Sequence, residues 1–465
     1  MKCFLHIVWG FLLISICGCQ KVNNPEAPEQ TQAINNYLLD LMEEAYLWEE
    51  HIPADADPVH SFDTFEFFES LCYRQEDPWT YLTDEADTFL DAKVGVSTTF
   101  GYNLAYGKFS NTGNYFAIVC YVYPNTVASE AGLQRGSLIL RINDKDMTYD
   151  DLSQLTTAET LSLTLGRYTG QGISASGTVQ LTARKQNVNP VVATNFISDG
   201  THRVGYLCYA NFFKDTQDAF YQVFKEFQVK HITDLVVDLR YNPGGNVETA
   251  RHLAGAIAPA TCLNGATVLF SYRWNDFYQS YWTQHNRDDQ LHINFPDAAS
   301  LAVNLDLKRV YFLTGQNSAS ASEFVICGLD PYMEVTCIGD TTYGKYAVAG
   351  VFVPEEKSIA NWAAQMIICK YANANGVTDF VNGFAPDYKV EDVLIASEVY
   401  ALGDPREPLF SKALQLIGVS TAGSLSASTK ASTNDPAYPL LPTPPFAIRA
   451  TDYELTMPLD KSIFN

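Results

Sequence analysis

Apolar positions at the start of the chain recur every three or four residues. Ile34, Leu38, Leu41, Ala45 and Trp48 form one stripe. Phe62, Phe65, Phe68 and Leu71 form a second over Ser61–Tyr73, so two amphipathic helices are predicted, each burying one face. From about Val94 the pattern changes to short strands. From Val204-Gly205-Tyr206-Leu207-Cys208-Tyr209 to about Val419, compact apolar runs alternate with helical stretches, the pattern of an α/β core. Two runs stand out: Asp234-Leu235-Val236-Val237-Asp238-Leu239 reads as a buried strand, and Val310-Tyr311-Phe312-Leu313 as another. Pro408 to Ile417 reads as a closing helix. After Gly418 the periodicity stops: Ser420–Thr433 is rich in Ser, Thr and Ala, Pro439–Pro445 in Pro, and both read as a linker to a short terminal segment, Phe446–Asn465.

The first residues carry a different signal. Met1-Lys2 is a short basic start, and Phe4–Cys17 is an apolar run too short to span a membrane as a mature helix. It ends in Ile16-Cys17-Gly18-Cys19, which resembles a bacterial lipobox cleaved before Cys19. Acylation of Cys19 would tether the chain to a membrane leaflet, with Gln20–Gln32 as a polar tether. That resemblance places the protein in a bacterial cell envelope, lipid-anchored at the outer membrane and facing the periplasm or the cell surface. The other reading of the same leader is an ordinary secreted protein cleaved nearby. No later stretch is long and apolar enough to be a transmembrane helix.

With 465 residues and 47% hydrophobic content, the chain can build two or three domains. Its formal charge of -23 disfavours nucleic acid and anionic lipid as electrostatic partners. Beyond the leader, Cys19 is followed by Cys72, Cys120, Cys208, Cys262, Cys327, Cys337 and Cys369, without Cys-x-x-Cys spacing. Most lie in apolar runs and read as buried free thiols, with a Cys327–Cys337 disulfide open in an oxidising compartment. The eight histidines do not cluster as metal ligands; His252, after a glycine pair, is the one to watch.

The candidate chemistry lies in Gln316-Asn317-Ser318-Ala319-Ser320-Ala321-Ser322-Glu323-Phe324, between an apolar strand and a helical run. A strand–turn–helix there would expose a serine hydroxyl at a helix N-terminus, whose unpaired N–H groups and positive dipole end suit an oxyanion. On composition alone the same run reads as an N-cap. The strand Asp234–Arg240 breaks at Tyr241-Asn242-Pro243-Gly244-Gly245-Asn246, where paired glycines let backbone approach a reacting group. Thr341-Thr342-Tyr343-Gly344-Lys345 follows the serine run. In this order the three motifs resemble the C-terminal processing (tail-specific) serine peptidases, relatives of the tricorn protease core.

That resemblance implies a crotonase-like α/β core with Ser320 as nucleophile and Lys345, 25 residues later, as general base. It implies Glu323 as an acidic support, and the N–H groups of Ala321 and of Gly244 or Gly245 as the oxyanion hole. Lysine can accept the proton only when neutral, so its reference pKa of about 10.4 has to be lowered by burial. Two positions depart from the family pattern: Tyr346 follows the lysine where Gly is usual, and Ala349 stands where a Gln would orient the amine. The orienting role then falls to Glu323 or to nothing visible.

Upstream, Phe100-Gly101-Tyr102-Asn103-Leu104 resembles the carboxylate-binding loop of a PDZ domain, and Pro124 to Gly136 that fold's second signature, with Ser137 in place of the usual Asp. Phe100, Gly101, Tyr102 and Leu104 would then bind a peptide terminus added as an extra strand. The expected division is a lipoprotein signal peptide over 1–18, a tether over 19–32 and a helical subdomain over 33–92. A PDZ-like domain over 93–187, inserted in or preceding the core, a peptidase core over 188–419 and a linker with terminal segment over 420–465 complete it. The expected activity is cleavage of unfolded or C-terminally exposed proteins, with no metal or organic cofactor and with oligomeric state open. The competing reading is an inactive PDZ-peptidase scaffold that binds protein C-termini, favoured by Tyr346 and Ala349; an esterase or amidase on the same dyad is a third.

Overall fold

The computed structural model describes residues 25–419 and 438–442, together with the backbone of 455–457. The leader, Cys19 and the linker over 420–433 lie outside the described residues.

Two helices open the described chain. The first, Glu29–Ala45, starts inside the stretch read as tether, directly after Pro28 and with Glu29 in its first turn, where an acid complements the helix dipole. It buries Ile34, Leu38, Met42 and Ala45. The second is shorter than its pattern suggested. Asp63 caps it by accepting from the N–H groups of Phe65 and Glu66, so it spans Thr64–Leu71. Phe62 thus precedes the helix and Phe65 points outward, at 56% and 46% exposed, while Phe67, Phe68 and Leu71 turn inward. This helical unit has no core of its own; its apolar face joins the large core of the α/β body.

That body holds two sheets. In one, Arg203–Tyr209, Asp234–Asp238, Arg309–Thr314 and Glu334–Gly339 run parallel, with Val191–Ser198 added antiparallel at one edge. Both faces are covered, which is why these strands read as unbroken apolar runs. Leu207, Leu235 and Val237 face the large core, while Tyr206, Val236 and Leu313 face the closing helix Pro408–Ile417 through Leu409, Phe410 and Leu414. The helices Gln217–Val229, Val247–Ile257 and Ala321–Leu329 contribute to the large core between the sheets. The second sheet runs Gly245–Asn246, Leu455–Met457, Ala347–Phe352, Ala363–Asn373, Val268–Trp274 and His292–Asn294, and Tyr81–Thr83 pairs with its long strand.

Residues 102–182 form a separate antiparallel sheet in the order Tyr102–Lys108, Tyr115–Val122, Leu138–Ile142, Thr160–Tyr168 and Ile173–Thr182, around a core that includes Phe100, Ile118, Leu138 and Leu163. The chain enters and leaves this β module through a two-stranded ribbon, Val96–Thr99 paired with Arg184–Asn187. Arg135 joins the module to the body. Its guanidinium donates to the hydroxyl oxygen of Tyr241 and to Asp392, and Tyr241 donates its own proton to Asp392. Arg240 donates to Asp392 at 2.9 Å and makes a two-pronged contact with Glu407 at 2.6 and 2.9 Å. No helix among the described residues is long and apolar enough to cross a membrane.

Candidate active site

The serine run sits where the parallel strand Arg309–Thr314 gives way to the helix Ala321–Leu329. Three hydroxyls compete for the role of nucleophile, and their hydrogen bonds separate them. Ser318 Oγ donates to the Leu239 carbonyl at 2.7 Å and accepts from the Gly315 N–H. Ser322 Oγ donates to the Asn242 carbonyl at 2.9 Å. Both therefore lock the serine turn onto the Asp234–Asn246 segment. Ser320 Oγ is buried; it faces the Glu323 N–H in a capping box and donates its own proton to no group among the described residues. A buried hydroxyl proton without an acceptor costs about 1–3 kcal/mol, a cost kept at functional sites. Ser320 also holds φ +59° and ψ -108°, a conformation that costs a non-glycine residue about 1–3 kcal/mol. As N-cap residue of the Ala321–Leu329 helix, it sits at the positive end of that helix.

The glycine pair is bound to this turn through Asn242. The Asn242 carbonyl accepts from the Ala319 N–H at 3.1 Å, and its side chain donates to the Tyr209 carbonyl at 2.8 Å while accepting from the Gly244 N–H at 2.9 Å. Of the two glycines proposed for an oxyanion hole, Gly244 therefore already gives its N–H to Asn242. Gly245 lies against Phe212 with φ +137°, and a Cβ there would sit 2.2 Å from the Phe212 carbonyl oxygen, so only glycine fits.

Glu323 ties the remaining parts together. Its carboxylate accepts from the N–H groups of Ser320 (2.8 Å), Lys345 (2.9 Å) and Gly344 (2.6 Å) and from the Thr342 hydroxyl (2.7 Å). One oxygen, Oε2, holds the main chains of both Ser320 and Lys345, so residues 25 apart in sequence are fixed to the same atom. Burial pushes the carboxyl up from its ordinary value of 4.5 to about 7, even though these four donors pull it down. Glu323 thus fixes the two backbones, of Ser320 and Lys345, at one point. Gly344, at φ +103°, would bring a Cβ within 2.5 Å of the Val381 carbonyl oxygen, which fixes glycine before the lysine.

Lys345 is fully buried, and its Nζ lies 5.8 Å from the centre of the Trp79 ring. Trp79 was not singled out from sequence. It comes from the segment after the second helix, held by the N–H bond of its own backbone to Asp77, and its only sequence signal is an aromatic following Asp77-Pro78. Trp79, Tyr343 and Gly344 also line a cleft of about 620 Å³ shared with Glu76, Tyr346, Lys370 and Asp379. Tyr346, where the family pattern has Gly, packs edge-on against Trp79 at 5.6 Å.

The other sequence candidates lie elsewhere. Phe100 and Tyr102 are buried in the β module, Leu104 packs at its margin, and the Gly101 N–H donates to Thr99 Oγ1 at 3.0 Å. His252 bonds through Nδ1 to the Tyr221 hydroxyl at 2.7 Å. Cys327 and Cys337 are free thiols rather than a disulfide, and the other described cysteines are free as well. Among the described residues no group of His, Cys, Asp and Glu could hold a metal ion.

The profile of peptidase family S41 matches residues 203–390, and that of the peptidase S41 N-terminal domain matches residues 33–81. Carboxy-terminal processing protease CtpB of Bacillus subtilis is 25% identical over 238 residues, 50% of this chain and 44% of that protein. The carboxy-terminal-processing protease of Bartonella bacilliformis is 25% identical over 280 residues, 58% of this chain and 57% of that protein. The chain thus spans about half the length of these curated relatives. A crystal structure from Bacteroides fragilis NCTC 9343, assigned to the S41 proteases, matches with a TM-score of 0.69 at 26% identity over 82% of this chain and 97% of that one. With both S41 profiles matched in chain order and the B. fragilis fold shared over nearly its whole length, the chain belongs to peptidase family S41, a family of serine-type peptidases.

Proposed function

We propose that the chain is a serine endopeptidase that cleaves unfolded or C-terminally exposed proteins through a Ser320/Lys345 dyad. The observation that carries this reading is the contrast among the three serines: the Ser318 and Ser322 hydroxyls donate to backbone carbonyls, and the Ser320 hydroxyl donates to no group among the described residues. Lys345 takes the Ser320 proton as Oγ attacks a peptide carbonyl. The N–H groups of Ala321 and Gly245 hold the oxyanion, and protonated Lys345 gives its proton to the leaving amine. Water then resolves the acyl-enzyme. Full burial of Lys345 supports the base role, because removing water disfavours the charged amine.

The β module acts in this reading as a PDZ domain, selecting chain ends on its outer strand Tyr102–Lys108. Carboxy-terminal processing, the activity for which the two curated relatives are named, fits the same division of labour. Acylation at Cys19 would hold the enzyme at the outer membrane of a bacterial envelope, facing the periplasm or the surface.

The test is degradation of an unfolded protein with a free or a blocked C-terminus by the chain from Gln20. Ser320→Ala and Lys345→Ala should each lower kcat/KM by at least about 10⁴-fold. A preference for the free end supports the PDZ role. A folded wild-type chain that binds the substrate peptide without cleaving it would instead establish the scaffold reading.

A further inference from the structure

The second sheet contains a strand that does not belong to the catalytic sequence. Leu455–Met457, close to the C-terminus, lies between Gly245–Asn246 and Ala347–Phe352 and runs parallel to both. Leu455 stands opposite Gly245 and Thr456 opposite Asn246; on the other side Thr456 stands opposite Ala349 and Met457 opposite Gly350. Its neighbours are the glycine strand that carries the proposed oxyanion donor and the strand that begins two residues after Lys345. Without these three residues the two catalytic strands would present facing, unpaired edges: a slot shaped for one extended peptide.

Residues 438–442, also near the C-terminus, meet a second edge. Lys108 donates its N–H to the Pro439 carbonyl at 3.1 Å, and Leu441 donates to the Tyr106 carbonyl at 2.8 Å, bracketing an antiparallel pair of Gly107 with Leu440. Tyr102–Lys108 is the outer strand of the β module, the edge at which that module would receive a peptide. The Tyr438 ring packs edge-on against Phe109, Phe116 and Tyr168 at 5.8–6.4 Å, and Leu440 and Leu441 pack against the module core.

We propose that the C-terminal segment is an internal peptide ligand that fills both peptide-receiving edges and keeps the enzyme self-occupied until a substrate chain displaces it. The proposal rests on the peptidase reading above for its consequence, although the occupancy itself does not. Strand addition relies on main-chain hydrogen bonds, so an edge that accepts varied substrates also accepts a segment of its own chain. Covalent attachment gives that segment an effective concentration of about millimolar, enough for a weak ligand to win when no substrate is present. A three-residue strand is short enough to be displaced by a longer unfolded chain that also engages the module. The occupied state also covers two strand edges that would otherwise template aggregation.

The test uses the full chain from Gln20 with Thr456→Pro, which removes an N–H from the middle of the inserted strand, and beside it a chain ending at Pro445. Both should cleave an unfolded protein with kcat/KM about tenfold above wild type, and a synthetic peptide of residues 446–465 should return them to the wild-type rate competitively. In the Ser320→Ala background, the fluorescein-labelled peptide should bind the Thr456→Pro chain at least tenfold more tightly than the chain with Thr456 intact. Equal binding to both, or to neither, overturns the proposal whatever the cleavage rates. Discriminating binding without cleavage by any version leaves the occupancy standing and defeats the peptidase reading alone. Wild-type activity per molecule should stay constant on dilution; activity that rises on dilution would put the segment in a second copy and overturn occupancy within one chain.

Discussion

Glu323 and Asp392 are both acids in protein surroundings, yet their carboxyls are driven in opposite directions. Glu323 meets only neutral donors: three backbone N–H groups and the Thr342 hydroxyl. Four hydrogen bonds do not compensate for its desolvation, and the carboxyl stays near 7. Asp392 is also pushed up by burial, but Arg135 and Arg240 outweigh that and hold it at about 2. Its side chain keeps 26% exposure, which further softens the burial cost. Neutral donors fix geometry, whereas full charges fix charge. The first arrangement holds the main chains of Ser320 and Lys345 at one point; the second fastens the β module to the body one residue before Asn242.

The largest effect should come from removing the shared cation of the second cluster. Arg240→Met leaves Asp238 and Glu407 buried without their guanidinium, and urea unfolding should show a loss of about 3–5 kcal/mol. A loss under about 1 kcal/mol would mean that the charges there are not what secures the junction.

Next is the acid at the serine turn. Glu323→Gln keeps the shape but brings an amide against four donors, so kcat/KM should fall roughly 10–100-fold, about 1.4–2.7 kcal/mol in activation free energy. The wild-type rate should also drop as pH falls through about 7, where the carboxylate takes a proton and releases donors that set both backbones. That limb should vanish in Glu323→Gln, and its persistence would assign the titration to another group. Stability runs the other way. Because the folded value is raised, proton binding contributes roughly 3 kcal/mol that is fully present below pH 4.5 and is lost as pH rises through about 7.

Asp392→Asn should give the smallest change, about 1–2 kcal/mol in urea unfolding at pH 7, because Arg240 keeps Asp238 and Glu407. With its folded value depressed, Asp392 contributes stability present above pH 3.8 and lost as pH falls through about 2. The wild type and Asp392→Asn should therefore converge in stability near pH 2, and a gap that persists there would point to packing instead of charge.

Local motif and period were enough for the strand–turn–helix around Ser320, the break at Asn242–Gly245 and the closing helix Pro408–Ile417, because each depends on residues adjacent in the chain. The second helix shows where that stops. Phe62 and Phe65 have helical spacing with Phe68, yet the Asp63 cap begins the helix one residue after Phe62 and turns Phe65 to solvent. The sequence by itself determined which residue types could do the chemistry and which elements carry them. Only the tertiary structure decided which of three equivalent-looking serines donates its hydroxyl proton to no described group, that a tryptophan from the helical unit lies by Lys345, that the helical unit shares the body's core, and that three residues near the C-terminus return between Gly245 and Ala349. Each of those is a contact between segments distant in sequence. A hydrogen bond made or withheld across such a distance leaves no periodicity in the chain.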